Sequence, residues 1–298
     1  MVTMKQRLAM IRVKSAIADI LGSKTSFSIS DRFQKLVNFP FIRVVGYHDT
    51  PKALANKFRM HLNWYAENYI NCDQAMLDRF LLDGIWSHSK PGLIISFDDG
   101  LRSNSKVAAS LLEEYGFTGW FMVPAFVPEL GNGMDRKFAV KANISYTDED
   151  PKGRLFMSWD DLHMLSTHGH EICCHSMHHK RLGEFLTPLE LKEEIYKSRA
   201  VMESILERPI DSFAWVGGED YSYSKAAFEE MQSAGYKRIF STNCYPILPR
   251  QTPFCLERNH VSSNFNINEV RLSIGGFYDL LYYRKRARTN RVLGLNRP

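Results

Sequence analysis

From residue 41 onward, short apolar runs rich in β-branched and aromatic residues alternate with longer stretches that have helical spacing. Six of the short runs have the length and composition of strands: 41–47, 93–97, 117–123, 170–174, 212–216 and 237–241. A parallel strand returns to its partner only through a crossover connection, which is usually a helix. This alternation therefore predicts an α/β fold with a parallel sheet or a closed barrel.

The helices between these strands begin and end at recognisable residues. Ser158 and Asp161 have the spacing of a capping box, and Thr187 is an N-cap followed by a proline at the first helical position. Gly116 follows the helix predicted for 105–115 and can take the left-handed conformation that ends a helix. Residues 124–157 are rich in Pro, Gly, Asn and Asp, and we expect them to form one long connection that faces the substrate.

The composition excludes several classes of protein. The chain has 298 residues, of which 44% are apolar and 24% charged, so a disordered chain and a coiled-coil rod are excluded. No run of about 18 uncharged apolar residues occurs, and we expect neither a signal peptide nor a membrane span but a cytoplasmic location. The odd number of cysteines and the absence of a CxxC pair favour buried free thiols at all five positions: Cys72, Cys173, Cys174, Cys244 and Cys255.

The net charge of +5 is distributed unevenly along the chain. Residues 1–40 carry net +5 and residues 281–298 carry net +6, so the part between them carries net −6. Basic ends on an acidic body fit a peripheral contact with the anionic inner face of a membrane, and nucleic-acid binding is the least favoured interpretation. We divide the chain into a basic N-terminal extension (1–40), a central domain (41–265) and a C-terminal helix with a basic tail (266–298).

The residues that carry chemistry stand where two predicted strands end. Asp98 and Asp99 follow the strand at 93–97, and His175 and His179 follow the strand at 170–174. In a (β/α) barrel the reactive groups lie at the carboxyl ends of the strands. Adjacent buried carboxylates repel each other unless a cation or hydrogen bonds compensate them. Two imidazoles with one carboxylate can hold Zn²⁺ with a position left open for water.

These segments resemble the polysaccharide deacetylases of the NodB-homology type, carbohydrate esterase family 4. The family motif T/S-F-D-D-G matches Ser96–Gly100, and the motif H-S/T-x-x-H matches His175–His179. The flanking segments Val44–Asp49, Gly169–Ile172 and Asp211–Trp215 are similar to the family as well. The resemblance covers roughly residues 41–265 and implies a distorted (β/α) barrel, as a single domain with basic N- and C-terminal extensions.

The resemblance also implies roles for individual residues. Asp99, His175 and His179 would be the ligands of a divalent metal ion, with Zn²⁺ as the first expectation. Asp98 would be the catalytic base, and Ser176 and Gly100 would support the two loops. The chemistry is coherent on general grounds, because a divalent metal lowers the pKa of a bound water to about 7 while a neighbouring carboxylate takes the proton.

The chain departs from the family pattern at two places. The segment Phe213–Gly218 lacks the proline and tyrosine of the family, and we expect a backbone N–H near Trp215 or Val216 to hold the oxyanion. The family's later L-x-H motif, which supplies a histidine acid, has no clean counterpart. His260 and His48 are both candidates for that acid, and the sequence leaves the choice open.

These observations predict a metal-dependent hydrolase that removes an N-acyl group, with acetyl as the first choice, from an amino sugar of a glycan or a lipid-linked glycan precursor. In one alternative the protein is still a metal-dependent hydrolase, but its substrate is a formamide or a small cyclic or ureido amide. A second alternative is a catalytically weak glycan-binding protein on the same fold. The complete set of Asp98, Asp99, His175 and His179 argues against the second alternative.

Overall fold

The computed structural model describes residues 40–131 and 133–295. One sheet contains the strands β1 (Ile42–Tyr47), β2 (Ile70–Asn71), β3 (Gly92–Phe97), β4 (Gly119–Val123), β5 (Glu171–Cys174), β6 (Ser212–Ala214), β7 (Arg238–Phe240), β8 (Phe254–Leu256) and β9 (Asn259–His260). The α-helices are α1 (Ala55–Asn68), α2 (Gln74–Asp83), α3 (Ala109–Glu114), α4 (Met134–Lys141), α5 (Trp159–Thr167), α6 (Pro188–Lys192), α7 (Ser198–Leu206), α8 (Lys225–Ser233), α9 (Ile267–Ile274), α10 (Phe277–Leu281) and α11 (Tyr283–Val292). Single π-helical segments, Asn104–Ala108 and Glu193–Lys197, lead into α3 and α7.

Every strand pairing in the sheet is parallel, as the alternation of strands and helices predicts. The strand order is β8-β7-β6-β5-β4-β3-β1-β9, and the short β2 pairs with β3 outside this path. From β3 to β7, each strand is joined to its neighbour in the order by one or more helices, whereas a segment without an α-helix connects β7 to β8. All six strands predicted from the sequence are present, with ends that differ by up to two residues.

The segment from 254 to 260 curls the sheet into a barrel. Its first half, β8, pairs with β7, and its second half, β9, pairs with β1 at the other end of the strand order. Only Glu257 and Arg258 separate the two halves, so the ends of the sheet are about 10 Å apart at most. The observed architecture is therefore the distorted (β/α) barrel that the family resemblance implies, and it forms a single domain.

Both faces of the strands are buried. Inside the barrel, Val44, Ile94, Trp120 and Cys173 belong to one apolar cluster, while the alternate side chains of the same strands pack against the helices. Side chains two residues apart on a strand point to the same face. Asp98 therefore follows Ile94 and Ser96 on the inner face, and His175 follows Cys173, which places both at the carboxyl end of the barrel interior.

Residues 124–157 form more than the long connection that the sequence suggests. They contain helix α4, and together with Leu101 they build a small apolar cluster of their own that includes Val127, Ala139 and Phe156. The N–H groups of Ala125 and Phe126 donate to backbone oxygens of the loop after β5. This segment therefore packs directly against the loop that carries His175 and His179.

The segment after the barrel, expected as one helix with a basic tail, contains three helices up to residue 292. Arg43 of β1 forms a two-pronged ion pair with Asp279 of α10, with both N–O distances at 2.8 Å. The basic N-terminal extension falls, apart from residue 40, outside the described residues. Within residues 40–131 and 133–295, no helix is both long and apolar enough to cross a membrane. The five cysteines are buried free thiols, as expected.

Candidate active site

One carboxylate and two imidazoles converge at the carboxyl end of β3 and β5. Asp99 Oδ1 lies 3.0 Å from His179 Nε2 and 3.6 Å from His175 Nε2, and one ligand atom from each residue falls within 4.8 Å of the others. Ligand atoms around a tetrahedral Zn²⁺ with bonds of about 2.0–2.2 Å are roughly 3.3 Å apart. The three residues that the family resemblance implies as ligands are thus brought together at the spacing such an ion needs.

Hydrogen bonds to the far side of each imidazole orient the two rings. His175 Nδ1 lies 2.9 Å from Ala214 O, and His179 Nδ1 lies 3.2 Å from Ala142 O. A carbonyl oxygen can only accept, so each Nδ1 carries the proton and, in the neutral ring, each Nε2 presents a lone pair to Asp99. Two lone pairs that face a buried carboxylate need a cation between them, so this donor set fits a divalent metal ion.

Both ligand loops contain residues in the left-handed backbone conformation. Asp99 and Gly100 have φ values of +72° and +70°, and Ser176 and His179 have +64° and +56°. A Cβ atom on Gly100 would lie 3.0 Å from Val123 Cγ1, so the turn after β3 also needs the small size of glycine. The Ser176 hydroxyl accepts the Lys180 N–H at 3.2 Å, which ties the second loop together. Gly100 and Ser176 thus contribute to the backbone conformation of the two turns.

Asp98 is held by an arginine from the segment between β8 and β9 that closes the barrel. Arg258 Nη1 lies 2.5 Å from Asp98 Oδ1, and Nη2 lies 2.9 Å from Oδ2. The same guanidinium donates to Ser96 Oγ and to Ser241 O. Arg258 is not among the site residues predicted from the sequence, although one signal is present: Arg258 and His260 are two residues apart on an extended segment and so share a face.

The surroundings keep both aspartates ionised. Burial alone raises the pKa of Asp98, but Arg258, together with His175 and His48, outweighs burial and holds the pKa below its ordinary value. Burial likewise raises the pKa of Asp99, but the adjacent imidazoles of His175 and His179 outweigh burial and hold the pKa well below its ordinary value. A carboxylate that stays ionised at neutral pH can serve as a base or as a metal ligand.

The two candidate acids lie side by side at the rim of the barrel. The ring centroids of His48 and His260 are 5.5 Å apart, and both side chains are exposed in a cleft of about 710 Å³. His48 follows β1 at the level of Asp98, because Tyr47 pairs with Phe97 in the sheet. His48 also contributes to lowering the pKa of both Asp98 and Asp99. The structure therefore brings His48 close to the aspartates and places His260 next to it.

The two candidate oxyanion donors differ in their backbone bonding. The Trp215 N–H donates to Phe240 O at 3.0 Å, so it already takes part in the sheet, and the Trp215 side chain packs in the outer core. Val216 is the next residue, and it lies beyond the end of β6, two residues after Ala214 on the inner face. Of the two backbone N–H groups, the one on Val216 is the remaining candidate.

A buried glutamate that the sequence analysis does not identify supports the histidine loop. Glu194 is fully buried and accepts the backbone N–H groups of Met177 and His178, at 3.1 Å and 2.8 Å. Its other oxygen lies 2.9 Å from His178 Nδ1. His178 therefore pairs with Glu194 rather than with Asp99, and the carboxylate fixes the path of the chain between His175 and His179.

The curled parallel barrel, with one carboxylate and two histidines at its carboxyl end, has the architecture of the NodB-homology class. A family model described as polysaccharide deacetylase matches residues 87–239, which is just over half of the chain. The chain belongs to the polysaccharide deacetylase family. The matched residues include Asp98, Asp99, His175 and His179, whereas His48, Arg258 and His260 lie outside them. No curated protein matches this chain.

Solved structures with the same fold come from several bacteria. The Streptococcus pyogenes deacetylase PplD in complex with acetate has a TM-score of 0.63 and 16% identity, covering 79% of this chain and 99% of that chain. A de-N-acetylase from Aggregatibacter actinomycetemcomitans has a TM-score of 0.61 and 14% identity, covering 78% and 98%. IcaB from Ammonifex degensii has a TM-score of 0.59 and 16% identity, covering 79% and 97%. At these identities the similarity establishes the fold.

Proposed function

We propose that this protein is a metal-dependent deacetylase that hydrolyses the N-acetyl group of an amino sugar in a glycan or a lipid-linked glycan precursor. This proposal rests on one observation: Asp99, His175 and His179 converge beside the ionised Asp98. Membership of the polysaccharide deacetylase family supports the type of reaction and the class of substrate. The structures named as deacetylases share the fold, which is consistent with the same chemistry.

In this proposal Asp99, His175 and His179 hold the divalent metal, with Zn²⁺ favoured by the nitrogen and oxygen ligands. The bound metal supplies a water of lowered pKa and positive charge near the amide carbonyl. Asp98 accepts the proton of the attacking water, and Arg258 keeps the Asp98 carboxylate ionised and oriented. The Val216 N–H donates to the oxygen that gains negative charge as water adds to the carbonyl carbon.

The second half of the reaction breaks the bond between the carbonyl carbon and the sugar nitrogen. The leaving nitrogen needs a proton, and the histidine pair at the rim can provide it. We assign this proton transfer to His48, because His48 lies level with Asp98 in the sheet and contributes to lowering the pKa of both aspartates. The products are acetate and a free amino sugar.

The experiment measures acetate release from oligomers of N-acetylglucosamine by protein loaded with Zn²⁺. Asp98→Asn is compared with wild type and with Asp150→Asn, which changes an exposed aspartate of the 124–157 segment. Removal of a general base costs about 10²–10⁴-fold in rate, so we expect a loss of that size for Asp98→Asn only. Equal rates for wild type and Asp98→Asn would contradict the proposal.

A substrate panel separates the proposal from its alternatives. It contains N-acetyl and N-formyl glucosamine oligomers, a cyclic ureide and a simple acetamide. Preference for the N-acetyl oligomer supports the deacetylase. Preference for the formyl sugar or the ureide would replace it with the deformylase or cyclic amide hydrolase, and oligomer binding without any hydrolysis would replace it with the glycan-binding protein.

A further inference from the structure

The last two described helices form one nearly continuous helix with a mixed apolar and basic surface. The Tyr282 N–H donates to Tyr278 O, and Tyr282 O accepts the Arg286 N–H, so helical bonding runs through the junction of α10 and α11. Six exposed side chains recur at helical spacing, and together they form the surface that we name the α10–α11 face: Phe277, Leu280, Leu281, Arg284, Arg288 and Arg291. Leu280 is 81% exposed and Leu281 is 61% exposed.

The opposite side of this helix is anchored to the barrel. Asp279 forms the two-pronged ion pair with the buried Arg43 of β1. Two turns further on, the buried Arg286 donates to Cys244 O at 2.9 Å, and Thr289 bonds to the side chain of Asn243 at 3.2 Å. These contacts fix the rotation of the helix about its axis. The fold therefore keeps both leucine side chains exposed to solvent, although the exposure of this much apolar area is unfavourable.

The charge on this part of the surface is positive. Asp279 is the one acidic residue between positions 270 and 295, and Arg43 neutralises it. Arg288 pairs with Asp220 at 2.9 Å in an exposed ion pair, which solvent and salt weaken. Arg284 and Arg291 have no acidic partner among residues 40–131 and 133–295. Two unpaired arginines thus continue the line of exposed apolar side chains along the helix.

We infer that the α10–α11 face binds the surface of an anionic lipid bilayer. An apolar end and a basic end on one helix face match the two parts of a bilayer surface, because aliphatic side chains enter the boundary of the acyl chains while arginines meet lipid phosphates. Nucleic-acid surfaces combine basic residues with stacking aromatic rings, whereas the most exposed side chains here are aliphatic. The combination of Leu280 and Leu281 with Arg284 and Arg291 therefore favours lipid.

The face also lies next to the candidate active site. Arg288 pairs with Asp220, and Lys285 Nζ lies 3.7 Å from the position of a Cβ atom at Gly218. Both partners belong to the loop that follows Val216 at the carboxyl end of β6. A bilayer bound at the α10–α11 face would lie beside the rim of the barrel. This step rests on the proposed function: it assigns the enzyme to a substrate held at a membrane, such as a lipid-linked glycan.

The test uses the full chain in a flotation assay with phosphatidylcholine vesicles, with or without phosphatidylglycerol. The two test variants are Leu280→Ser with Leu281→Ser, and Arg284→Gln with Arg291→Gln. The matched control combines Arg79→Gln with Leu82→Ser on α2, where both side chains are also exposed. We expect wild type and the control to bind vesicles that contain phosphatidylglycerol, and each test variant to bind roughly tenfold more weakly.

Circular dichroism and thermal unfolding establish that every variant is folded before it is compared. The inference would be overturned if wild type does not bind anionic vesicles, or if the test variants bind them as well as the control does. Loss of vesicle binding in the arginine variant but not in the leucine variant, together with tight binding of single-stranded DNA by wild type, would replace lipid with nucleic acid. Acetate release from a soluble oligomer is measured in parallel, so failure of the proposed function is recognised separately from failure of lipid binding.

Discussion

Arg258 holds both oxygens of the Asp98 carboxylate, at 2.5 Å from Nη1 to Oδ1 and 2.9 Å from Nη2 to Oδ2. Both side chains are buried, and the guanidinium also donates through Nε to Ser241 O, so the arginine cannot rotate away from the pair. Each carboxylate oxygen has two acceptor sites, and the pair leaves capacity for a proton from water. The arrangement therefore gives Asp98 a fixed position and a constant negative charge.

Replacing Arg258 should change the pH dependence of the reaction. Asp98 acts as a base only when ionised, and activity is lost as the pH falls through its pKa. Arg258→Gln removes the charge that offsets burial, so the pKa of Asp98 rises and the acid limb of the kcat/KM profile moves to higher pH. Arg258→Lys keeps the charge and should move the limb less. A limb that stays in place in Arg258→Gln would show that Asp98 is not the base.

This comparison needs a check on folding. Breaking a buried ion pair by removing one partner costs about 3–5 kcal/mol in the free energy of unfolding. The pH profiles are therefore recorded well below the unfolding temperature of each variant, which is measured over the same pH range.

Removing the histidine ligands should remove the metal. His175→Ala and His179→Ala each leave two of the three side chains, and we expect one equivalent of bound Zn²⁺ in wild type and much less than one in either variant. His163→Ala changes an exposed histidine on α5 and should keep the full equivalent. Elemental analysis of protein purified without an affinity tag makes the measurement. Equal metal content in all four proteins would place the metal elsewhere.

The two aspartates and the two histidines of the site could be predicted, because each of these pairs belongs to one short sequence motif at the end of a strand. Arg258 could not be predicted in the same way: it is 160 residues from Asp98 in sequence, and it is one of 38 lysines and arginines. Glu194 is likewise one acid on a helical segment, and only the fold shows that it is buried under the histidine loop. Contacts of this kind depend on the closure of the barrel, which no local pattern encodes.

The fold, like the candidate site, could be predicted from the sequence only in part. The strands with continuous apolar runs, such as 93–97, are evident in the sequence. Strands β8 and β9 are three and two residues long and are separated by Glu257 and Arg258, so they show neither an apolar run nor a clear alternation. The helix Met134–Lys141 is hidden by the Gly, Asn and Pro residues around it. Its stability comes from packing against Leu101 and Phe156 rather than from its own sequence.

The choice between His48 and His260 as the acid can be decided with two leaving groups. An amide nitrogen needs a proton to depart, whereas the 4-nitrophenolate of an aryl ester does not. We expect His48→Gln to lose about 10²-fold in the rate of amide hydrolysis and to keep most of its esterase rate, while His260→Gln changes both rates less. The measurement is kcat for each protein on both substrates. The reverse pattern would assign the acid to His260.

Gly100 should be sensitive to substitution both for its backbone angle and for the space around it. Gly100 and Gly116 have nearly equal φ values, +70° and +71°, but a Cβ atom would lie 3.0 Å from Val123 Cγ1 at Gly100 and would have no neighbour within 4 Å at Gly116. Gly116→Ala therefore measures the cost of the left-handed backbone alone, about 1–2 kcal/mol in the free energy of unfolding. Gly100→Ala adds the steric conflict and should cost more, and its displaced turn should also weaken Zn²⁺ binding through the neighbouring Asp99. Urea denaturation and Zn²⁺ titration of both variants test this, and equal losses of stability with unchanged Zn²⁺ affinity would show that the turn accommodates the extra methyl group.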